Sequence, residues 1–136
     1  MRQTMPNRDV VKAFIALVER GQYVEAIEAY YTEDASMQEN MQPPRRGRAN
    51  LAEGERKVMA SFREIRTRPV ETYFVDGDRV VINWVFDFEG HDGSMFSQDE
   101  LAFQRWQGDK IVEERFYYDP AQRLQISKKS AEQSAA

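Results

Sequence analysis

The segment RVVINWVFDFE, residues 79–89, is the part of the sequence that decides the fold class. Large apolar side chains recur in it at every second position: Val80, Ile82, Trp84, Phe86 and Phe88. Because successive side chains of a strand point to opposite faces, this spacing predicts a strand with one apolar face. The preceding pair Asp76-Gly77 is typical of a hairpin turn, so another strand is expected just upstream, over residues 70–75.

Two further strands are expected downstream. Residues 95–106 form a long one whose buried face stays open, since Leu101 and Phe103 favour one frame whereas Ala102 and Trp106 favour the other. In the last strand, Ile111 is expected on the face opposite to four alternating side chains: Val112, Glu114, Phe116 and Tyr118.

The N-terminal half is mainly helical by its periodicity. Apolar residues at helical spacing predict a first helix, with Asn7 as a suitable N-cap and Gly21 as a suitable stop. A shorter helix is expected over residues 23–30 and a third over about residues 49–65. Between them lies a predicted strand, residues 35–41, whose apolar face carries four side chains: Ala35, Met37, Glu39 and Met41.

This order of elements predicts an α+β fold in which the helices cover one face of a mostly antiparallel sheet. A curved sheet covered on one side commonly leaves a concave apolar cavity. We expect a single domain over residues 1–136, with an ordered core at about residues 7–120 and a polar, frayed tail at residues 121–136.

The composition excludes several classes of protein. A net charge of −4 argues against a dedicated nucleic-acid binder, and the absence of cysteine excludes thiol catalysis and thiolate metal sites. The only histidine, His91, lies in a Gly-rich turn, so no metal site and no cofactor are expected. No signal peptide and no membrane segment are expected either, since Lys12 and Glu19 interrupt the first apolar stretch, and the predicted location is the cytoplasm.

Three segments resemble the nuclear-transport-factor-2-like superfamily, which includes ketosteroid isomerases, SnoaL-like polyketide cyclases and limonene epoxide hydrolase. YTEDASMQE (residues 31–39) is similar to the segment of the superfamily that contains a tyrosine, an acidic pair and the first strand. RGR (residues 46–48) is similar to the segment that precedes the third helix of the superfamily. DKIVEERFYYDP (residues 109–120) is similar to its closing strand, with Asp109 in place of Gly. The resemblance implies a SnoaL-like or ketosteroid isomerase-like domain, with three N-terminal helices packed on a strongly curved sheet as a cone around an apolar pocket.

The resemblance also transfers functional residues one at a time. The isomerases' general base falls on Glu39, and their second active-site tyrosine on Tyr31. Their oxyanion tyrosine falls on Phe14, which lacks the hydroxyl, and their protonated Asp falls near Ala102. Asp99 and Glu100, on the same strand, do not match the spacing. Steroid isomerase activity is therefore not expected, since an oxyanion donor commonly contributes about 3 kcal/mol to catalysis.

Glu39 is the expected general base or acid, because its carboxylate leaves the strand on the apolar face, where desolvation raises the pKa of a carboxyl. The alternative is a structural Glu39 that pairs with a nearby arginine or with Tyr31. Glu114 or Asp119 is expected to assist. For Glu114 the alternative is an ion pair across strands.

A small hydrophobic or aromatic ligand is expected to contact eight side chains: Phe14, Tyr31, Met37, Met59, Trp84, Phe86, Phe116 and Tyr118. The alternative is that these residues are plain core. Three basic residues before the third helix, Arg45, Arg46 and Arg48, are either surface charges or an anion site.

Three functions remain open at this stage. The chain is a cofactor-free isomerase, cyclase or hydrolase, a non-catalytic binder of a hydrophobic ligand, or a protein-interaction module that uses its outer sheet face. A homodimer through that face, which carries Val81, Asn83 and Val85, is also expected. An open pocket with Glu39 at its base would favour the enzyme, and a pocket closed by Phe14 and Trp84 would exclude it.

Overall fold

The computed structural model describes residues 5–128. Three helices are present: α1 (Arg8–Glu19), α2 (Tyr23–Tyr30) and α3 (Arg48–Ala60). Eight strands accompany them: β1 (Tyr31–Glu39), β2 (Arg45–Arg46), β3 (Glu64–Thr67), β4 (Tyr73–Asp76), β5 (Arg79–Glu89), β6 (Ser94–Gln107), β7 (Lys110–Tyr117) and β8 (Ser127–Lys128). A 3-10 helix, Pro120–Leu124, precedes the last strand.

The strands form one sheet in the order β2-β1-β7-β6-β5-β3, with β4 paired to β5 and β8 paired to β6. All pairs are antiparallel except β1 with β7, which are parallel. Three helices pack on one face of this curved sheet, which confirms the predicted α+β cone. Within residues 5–128, no helix is long and apolar enough to cross a membrane.

The core lies between α1, α2 and the inward side of β5 and β6. Helix α1 begins at its predicted cap, where Oδ1 of Asn7 accepts a hydrogen bond from the Asp9 amide at 2.7 Å. It buries Val11, Phe14, Ile15 and Val18. The predicted apolar face of β5 is confirmed for Val80, Ile82 and Trp84, which are at most 2% exposed.

Two element boundaries differ from the prediction. Helix α3 ends at Ala60 and does not reach residue 65, because Ile65 instead lies in β3 and pairs with Phe88 of β5. Strand β1 begins and ends earlier than expected. Asn40 follows Glu39 with a φ of 51°, which stops the strand, and Met41 is 84% exposed instead of sharing the apolar face.

The structure settles which face of β6 is buried. Leu101 and Phe103 point outward, and the inward face carries Gln98, Glu100, Ala102, Gln104 and Trp106. This frame is hard to read from sequence because most of its inward side chains are polar. A register shift between β6 and β7 pairs Trp106 with Ile111 but Arg105 with Glu113. Ile111 and Glu114 are therefore both buried, contrary to the simple alternation predicted for this strand.

The C-terminal segment is part of the fold beyond residue 120. Asp119 caps the 3-10 helix through a hydrogen bond from the Ala121 amide, and Gln122 and Arg123 bond to strand β6. The predicted tail thus begins later than residue 121, and its remaining part, residues 129–136, lies outside the described residues.

Candidate active site

A cavity of about 320 Å³ lies between the helices and the inward face of the sheet. Seven aromatic side chains line it: Phe14, Tyr23, Tyr31, Trp84, Phe86, Phe88 and Phe116. Trp84 and Phe86 stack with ring centroids 5.8 Å apart, and Phe14 meets Trp84 edge-on at 6.2 Å. Part of the wall is therefore aromatic, as expected of a pocket for a small hydrophobic molecule, and charged side chains complete the lining.

Glu114 lies in this cavity with an exposure of only 3%. Its position in β7 pairs it with Gln104 of β6, whose Nε2 donates a hydrogen bond to Oε2 of Glu114 at 2.7 Å. The hydroxyl of Tyr31 donates to the other carboxyl oxygen, Oε1. The indole of Trp106 donates to Oε1 of Gln104 at 2.9 Å, and this contact fixes which end of the amide faces Glu114.

The environment of Glu114 shifts its proton affinity. Burial raises the pKa of this carboxyl to about 7, although the hydrogen bonds from Gln104 and Tyr31 oppose the shift because they favour the charged form. Burial and the nearby Glu114 also raise the pKa of Tyr31 well above its ordinary value. Tyr31 therefore stays a hydrogen-bond donor, and Glu114 changes charge near neutral pH.

Glu100 is a second buried carboxyl in the same cavity, with an exposure of 6%. Its Oε1 accepts a hydrogen bond from Nε2 of Gln98 at 2.7 Å. Burial raises the pKa of Glu100 to about 8, against the opposing effect of that hydrogen bond. At neutral pH Glu100 is thus mainly an uncharged acid that is able to donate a hydrogen bond.

The hydrogen bond from Gln98 does not engage the second oxygen of Glu100, Oε2. This second oxygen has no hydrogen-bond partner among the described side chains, and no fully buried side-chain oxygen in residues 5–128 lacks a partner. This oxygen must therefore be reachable by solvent, and the cavity is the space that Glu100 lines. A bound molecule would meet this oxygen directly.

Glu39 lies where the cavity reaches the surface, with a side chain 29% exposed. Arg45 forms an ion pair with Oε2 of Glu39 at 2.9 Å, and the hydroxyl of Tyr118 donates to Oε1 at 2.9 Å. Burial and Glu39 raise the pKa of Tyr118 to about 12. Both oxygens of Glu39 are thus engaged, as the structural alternative with a neighbouring arginine predicted.

Comparison with known proteins identifies the domain. The profile of the SnoaL-like domain family matches residues 11–114. This chain belongs to that family. Among curated proteins, none matches the chain.

Solved structures resemble this SnoaL-like domain over most of its length. A candidate SnoaL-like polyketide cyclase from Mesorhizobium loti is 26% identical, with a TM-score of 0.69 over 82% of this chain and 97% of the other. A protein with a ketosteroid isomerase-like fold from Catenulispora acidiphila, in complex with trimethylamine, is 17% identical, with a TM-score of 0.71 over 83% and 87%. A nuclear-transport-factor-2-like protein from Burkholderia xenovorans is 24% identical, with a TM-score of 0.66 over 85% and 91%.

The structure brings most of the predicted site residues of this SnoaL-like domain to one cavity. Eight of them line it: Phe14, Tyr31, Met37, Glu39, Trp84, Phe86, Glu114 and Phe116. Three do not. Tyr118 reaches the site only through Glu39, Asp119 is an exposed helix cap, and Met59 is 36% exposed on α3.

Helix α3 presents other residues to the cavity than Met59. Val58 and Glu55 line it, because their spacing from the buried Leu51 places all three on one helix face. Burial raises the pKa of Glu55, while Arg45 lowers it. The same spacing in the sequence would have identified Glu55 as a charged residue on an inward face.

Two further charged residues of the cavity, Glu100 and Arg123, are not among the predicted site residues. Glu100 does not match the isomerases' spacing, but the alternation from Gln98 to Trp106 places it on the inward face. Arg123 lies in the segment predicted to be a frayed tail, but its Nε donates to Oε1 of Gln98 at 3.1 Å and it lines the cavity. No apolar pattern marks Arg123 in the sequence as a cavity residue.

The polar groups outside the cavity have structural roles. Arg48 bonds to the carbonyl of Tyr31 at 3.1 Å, and His91 is exposed and lies 3.0 Å from the carbonyl of Ala60. In the part of the chain that the structure describes, no cluster of three or more metal-binding side chains occurs.

Proposed function

We propose that this SnoaL-like domain is a cofactor-free acid–base enzyme of the isomerase or cyclase type, acting on a small hydrophobic substrate in the cavity. One observation carries the proposal: two carboxyl groups that are more than nine-tenths buried, Glu100 and Glu114, face the same aromatic cavity from neighbouring strands. Two carboxyls in one site, each with a pKa that burial raises, are a recurrent basis for acid–base chemistry.

Glu114 is the proposed general base. Tyr31 and Gln104 both donate to its carboxylate, so the charged form is held in place and oriented. A pKa of about 7 gives this group both a useful basic fraction and a strong tendency to take a proton at neutral pH. It would remove a proton from a carbon next to a carbonyl group of the substrate.

Glu100 is the proposed acid. With a pKa of about 8 it keeps its proton at neutral pH, and its open carboxyl oxygen is able to donate a hydrogen bond to the substrate carbonyl. As Glu114 takes the proton, the C–H electron pair forms a C=C bond and the C=O π pair moves onto oxygen. Negative charge therefore develops on the carbonyl oxygen of the substrate. A hydrogen-bond donor that is held beside this carbonyl oxygen before the reaction stabilises the enolate, because the site does not have to rearrange as the charge forms.

The enolate has two productive fates. In an isomerisation, Glu114 returns its proton to a different carbon. In an aldol-type cyclisation, the enolate carbon attacks a second carbonyl of the same molecule, and the new alkoxide takes the proton from Glu114. Both routes regenerate the starting protonation states without an added reactant. Hydrolase chemistry such as epoxide opening would need a water as an additional reactant.

Glu39 stays a predicted catalytic residue, but its contacts favour Glu114 for the proton transfer. Both carboxyls accept two hydrogen bonds, but one partner of Glu39 is the cationic Arg45 and its side chain is 29% exposed at the cavity mouth. Glu114 has only the neutral donors Tyr31 and Gln104 and is 3% exposed. Glu39 is thus suited to shape the entrance of the cavity or to bind the polar end of a substrate. Asp119 is exposed and does not line the cavity, so we assign it no step.

The test is the exchange of α-hydrogens of small cyclic ketones in heavy water, followed by proton NMR. The purified protein is expected to accelerate exchange. Glu114→Gln is expected to lower that acceleration by about 10²-fold or more, since it removes the base while keeping its size. Glu113→Gln is the matched control, because Glu113 is the next residue but is exposed and paired with Arg105.

A folded Glu114→Gln variant that retains wild-type exchange would overturn the proposal. Equal losses in Glu113→Gln and Glu114→Gln would also do so, since they would show a general charge effect. If the ketones bind but the wild type accelerates no exchange, the chain is a binding module for hydrophobic ligands, and the enzyme proposal is wrong.

A further inference from the structure

Carboxyl groups outnumber cationic groups in the cavity lining. Four carboxyls line it, those of Glu39, Glu55, Glu100 and Glu114, but only two guanidinium groups, those of Arg45 and Arg123. Both guanidinium groups are already engaged. Arg45 pairs with Glu39, while Arg123 bonds to Gln98 and lies over the ring of Phe88 at 5.7 Å. The two deepest carboxyls, Glu100 and Glu114, have no cationic partner in residues 5–128.

The register of the sheet places an aromatic ring beside the open carboxyl oxygen. Trp84 of β5 and Glu100 of β6 are direct cross-strand partners, and both side chains point into the cavity. Neighbouring side chains on one face of an antiparallel pair lie within contact distance of each other. The carboxyl of Glu100 and the ring of Trp84 therefore lie side by side on the cavity wall.

We infer that the cavity selects a substrate with an organic ammonium group on an apolar body, and that Glu100 and Trp84 bind the ammonium group. The inference rests on the proposed function only in taking this cavity as the substrate site with Glu114 as its base. For an ammonium substrate, Glu100 is the carboxylate that binds the cation, and this role replaces that of the acid. An ammonium group is attracted both to a carboxylate and to the face of an aromatic ring. The remaining aromatic wall, with Phe14 and Phe86, surrounds the apolar body.

An ammonium ligand would also change the protonation of Glu100. A nearby cation favours the charged form of a carboxyl, so binding is expected to release a proton from Glu100. The titratable and charged groups that face Glu100 are Glu39, Glu55, Glu114, Tyr31, Tyr118 and Arg123. The neighbouring carboxylates oppose the release, and a bound cation offsets their effect.

The test uses three ligands of the same shape and different charge: 2-(1-naphthyl)ethylamine, 2-(1-naphthyl)ethanol and 1-naphthylacetate. Isothermal titration calorimetry at neutral pH in two buffers with different ionisation enthalpies gives both the affinity and the protons released. The amine is expected to bind at least about tenfold more tightly than the alcohol and to release protons, while the alcohol releases none. The carboxylate is expected to bind most weakly.

Glu100→Gln is expected to bring the affinities for amine and alcohol to within about threefold of each other and to abolish proton release. Glu113→Gln, which keeps the cavity intact, is expected to keep the wild-type ratio. Wild-type protein that binds the alcohol as tightly as the amine, or the carboxylate best, would overturn the inference. These wild-type measurements hold even if Glu100→Gln fails to fold.

The two proposals fail separately. Selective amine binding by a protein that exchanges no ketone hydrogens would leave this inference standing and overturn the acid–base enzyme. Ketone exchange that depends on Glu114, together with equal binding of amine and alcohol, would do the opposite.

Discussion

The hydroxyl of Tyr31 donates a hydrogen bond to the carboxyl of Glu114, although 83 positions separate the two residues in the chain. The contact exists because β1 and β7 are neighbours and run parallel in the sheet. It joins the first residue of β1 to the buried base candidate, and Trp106 and Gln104 extend the same chain of hydrogen bonds. The site is thus built from three adjacent strands.

Tyr31→Phe is expected to destabilise the protein by about 1–3 kcal/mol, because Oε1 of Glu114 loses its donor in a buried site. It should also raise the pKa of Glu114 further, since a hydrogen bond to the charged form is removed. Urea unfolding measures the first effect, and the pH dependence of ketone exchange measures the second.

Tyr30→Phe is the control for this change, because the hydroxyl of Tyr30 makes no hydrogen bond to any described residue. The prediction fails if both variants unfold at the same urea concentration and share the wild-type pH profile.

Stability is expected to fall as the pH rises from about 5 to about 8. The folded pKa values of Glu100 and Glu114, about 8 and about 7, exceed the ordinary value of 4.5. The folded state therefore holds more protons than the unfolded state in this range, and the free energy of unfolding decreases as these protons are lost. Thermal unfolding across this pH range measures the effect.

Glu100→Gln isolates the contribution of one of the two groups, because the amide mimics the protonated acid at every pH. Relative to wild type, the variant should be unchanged at about pH 5 and more stable by a few kcal/mol at about pH 9. Glu113→Gln should show no such trend, as Glu113 is exposed. A constant difference between Glu100→Gln and wild type at all pH values would contradict the folded-state pKa.

Trp84→Ala is expected to abolish the binding of a small apolar dye and to destabilise the fold by roughly 3–5 kcal/mol, since Trp84 is 2% exposed. Trp84→Phe keeps an aromatic ring and should retain the fold while weakening dye binding. Dye fluorescence and urea unfolding of both variants measure the two effects. Wild-type dye affinity in the folded Phe variant would place the ligand site elsewhere.

Glu39→Gln tests the predicted base at the cavity mouth. Because the ion pair with Arg45 is partly exposed, its loss should change the free energy of unfolding by no more than about 1 kcal/mol. Ketone exchange by this variant should exceed that of Glu114→Gln. A loss of about 10²-fold in Glu39→Gln, with Glu114→Gln unaffected, would instead make Glu39 the base.

The outer sheet face is expected to mediate a homodimer. Two cross-strand rows carry exposed apolar side chains there: Phe74–Val81–Phe103–Arg115 and Asn83–Leu101–Tyr117. Phe74 is 65% exposed, and Leu101 and Phe103 are each more than 40% exposed. We propose an interface above about 1,000 Å² between two copies of this face.

Sedimentation equilibrium should give about twice the chain mass of 15.9 kDa at tens of micromolar. Phe103→Glu should yield monomers, whereas Leu124→Glu, an exposed apolar residue of the 3-10 helix, should not. A monomeric wild type at this concentration would exclude the dimer.

The sequence by itself determined the α+β class and much of the cavity wall, because both depend on periodicity. The alternation in residues 80–88 predicts a strand with one apolar face. Trp84 and Phe86 share this face, so their inward orientation follows without knowledge of the neighbouring strands. The end of α3 was less accessible to prediction, since Ile65 fits a helical stripe and a strand equally well. Only its pairing with Phe88 decides between them.

The tertiary structure alone decided which carboxyl groups are buried and what they contact. Strand β6 has a polar inward face, so no hydrophobic pattern marks Glu100 as a cavity residue. The register shift between β6 and β7 turns Glu114 toward Gln104, and the parallel pairing of β1 with β7 brings Tyr31 to it. The proton affinity of a carboxyl depends on burial and on such long-range partners, which local sequence does not encode.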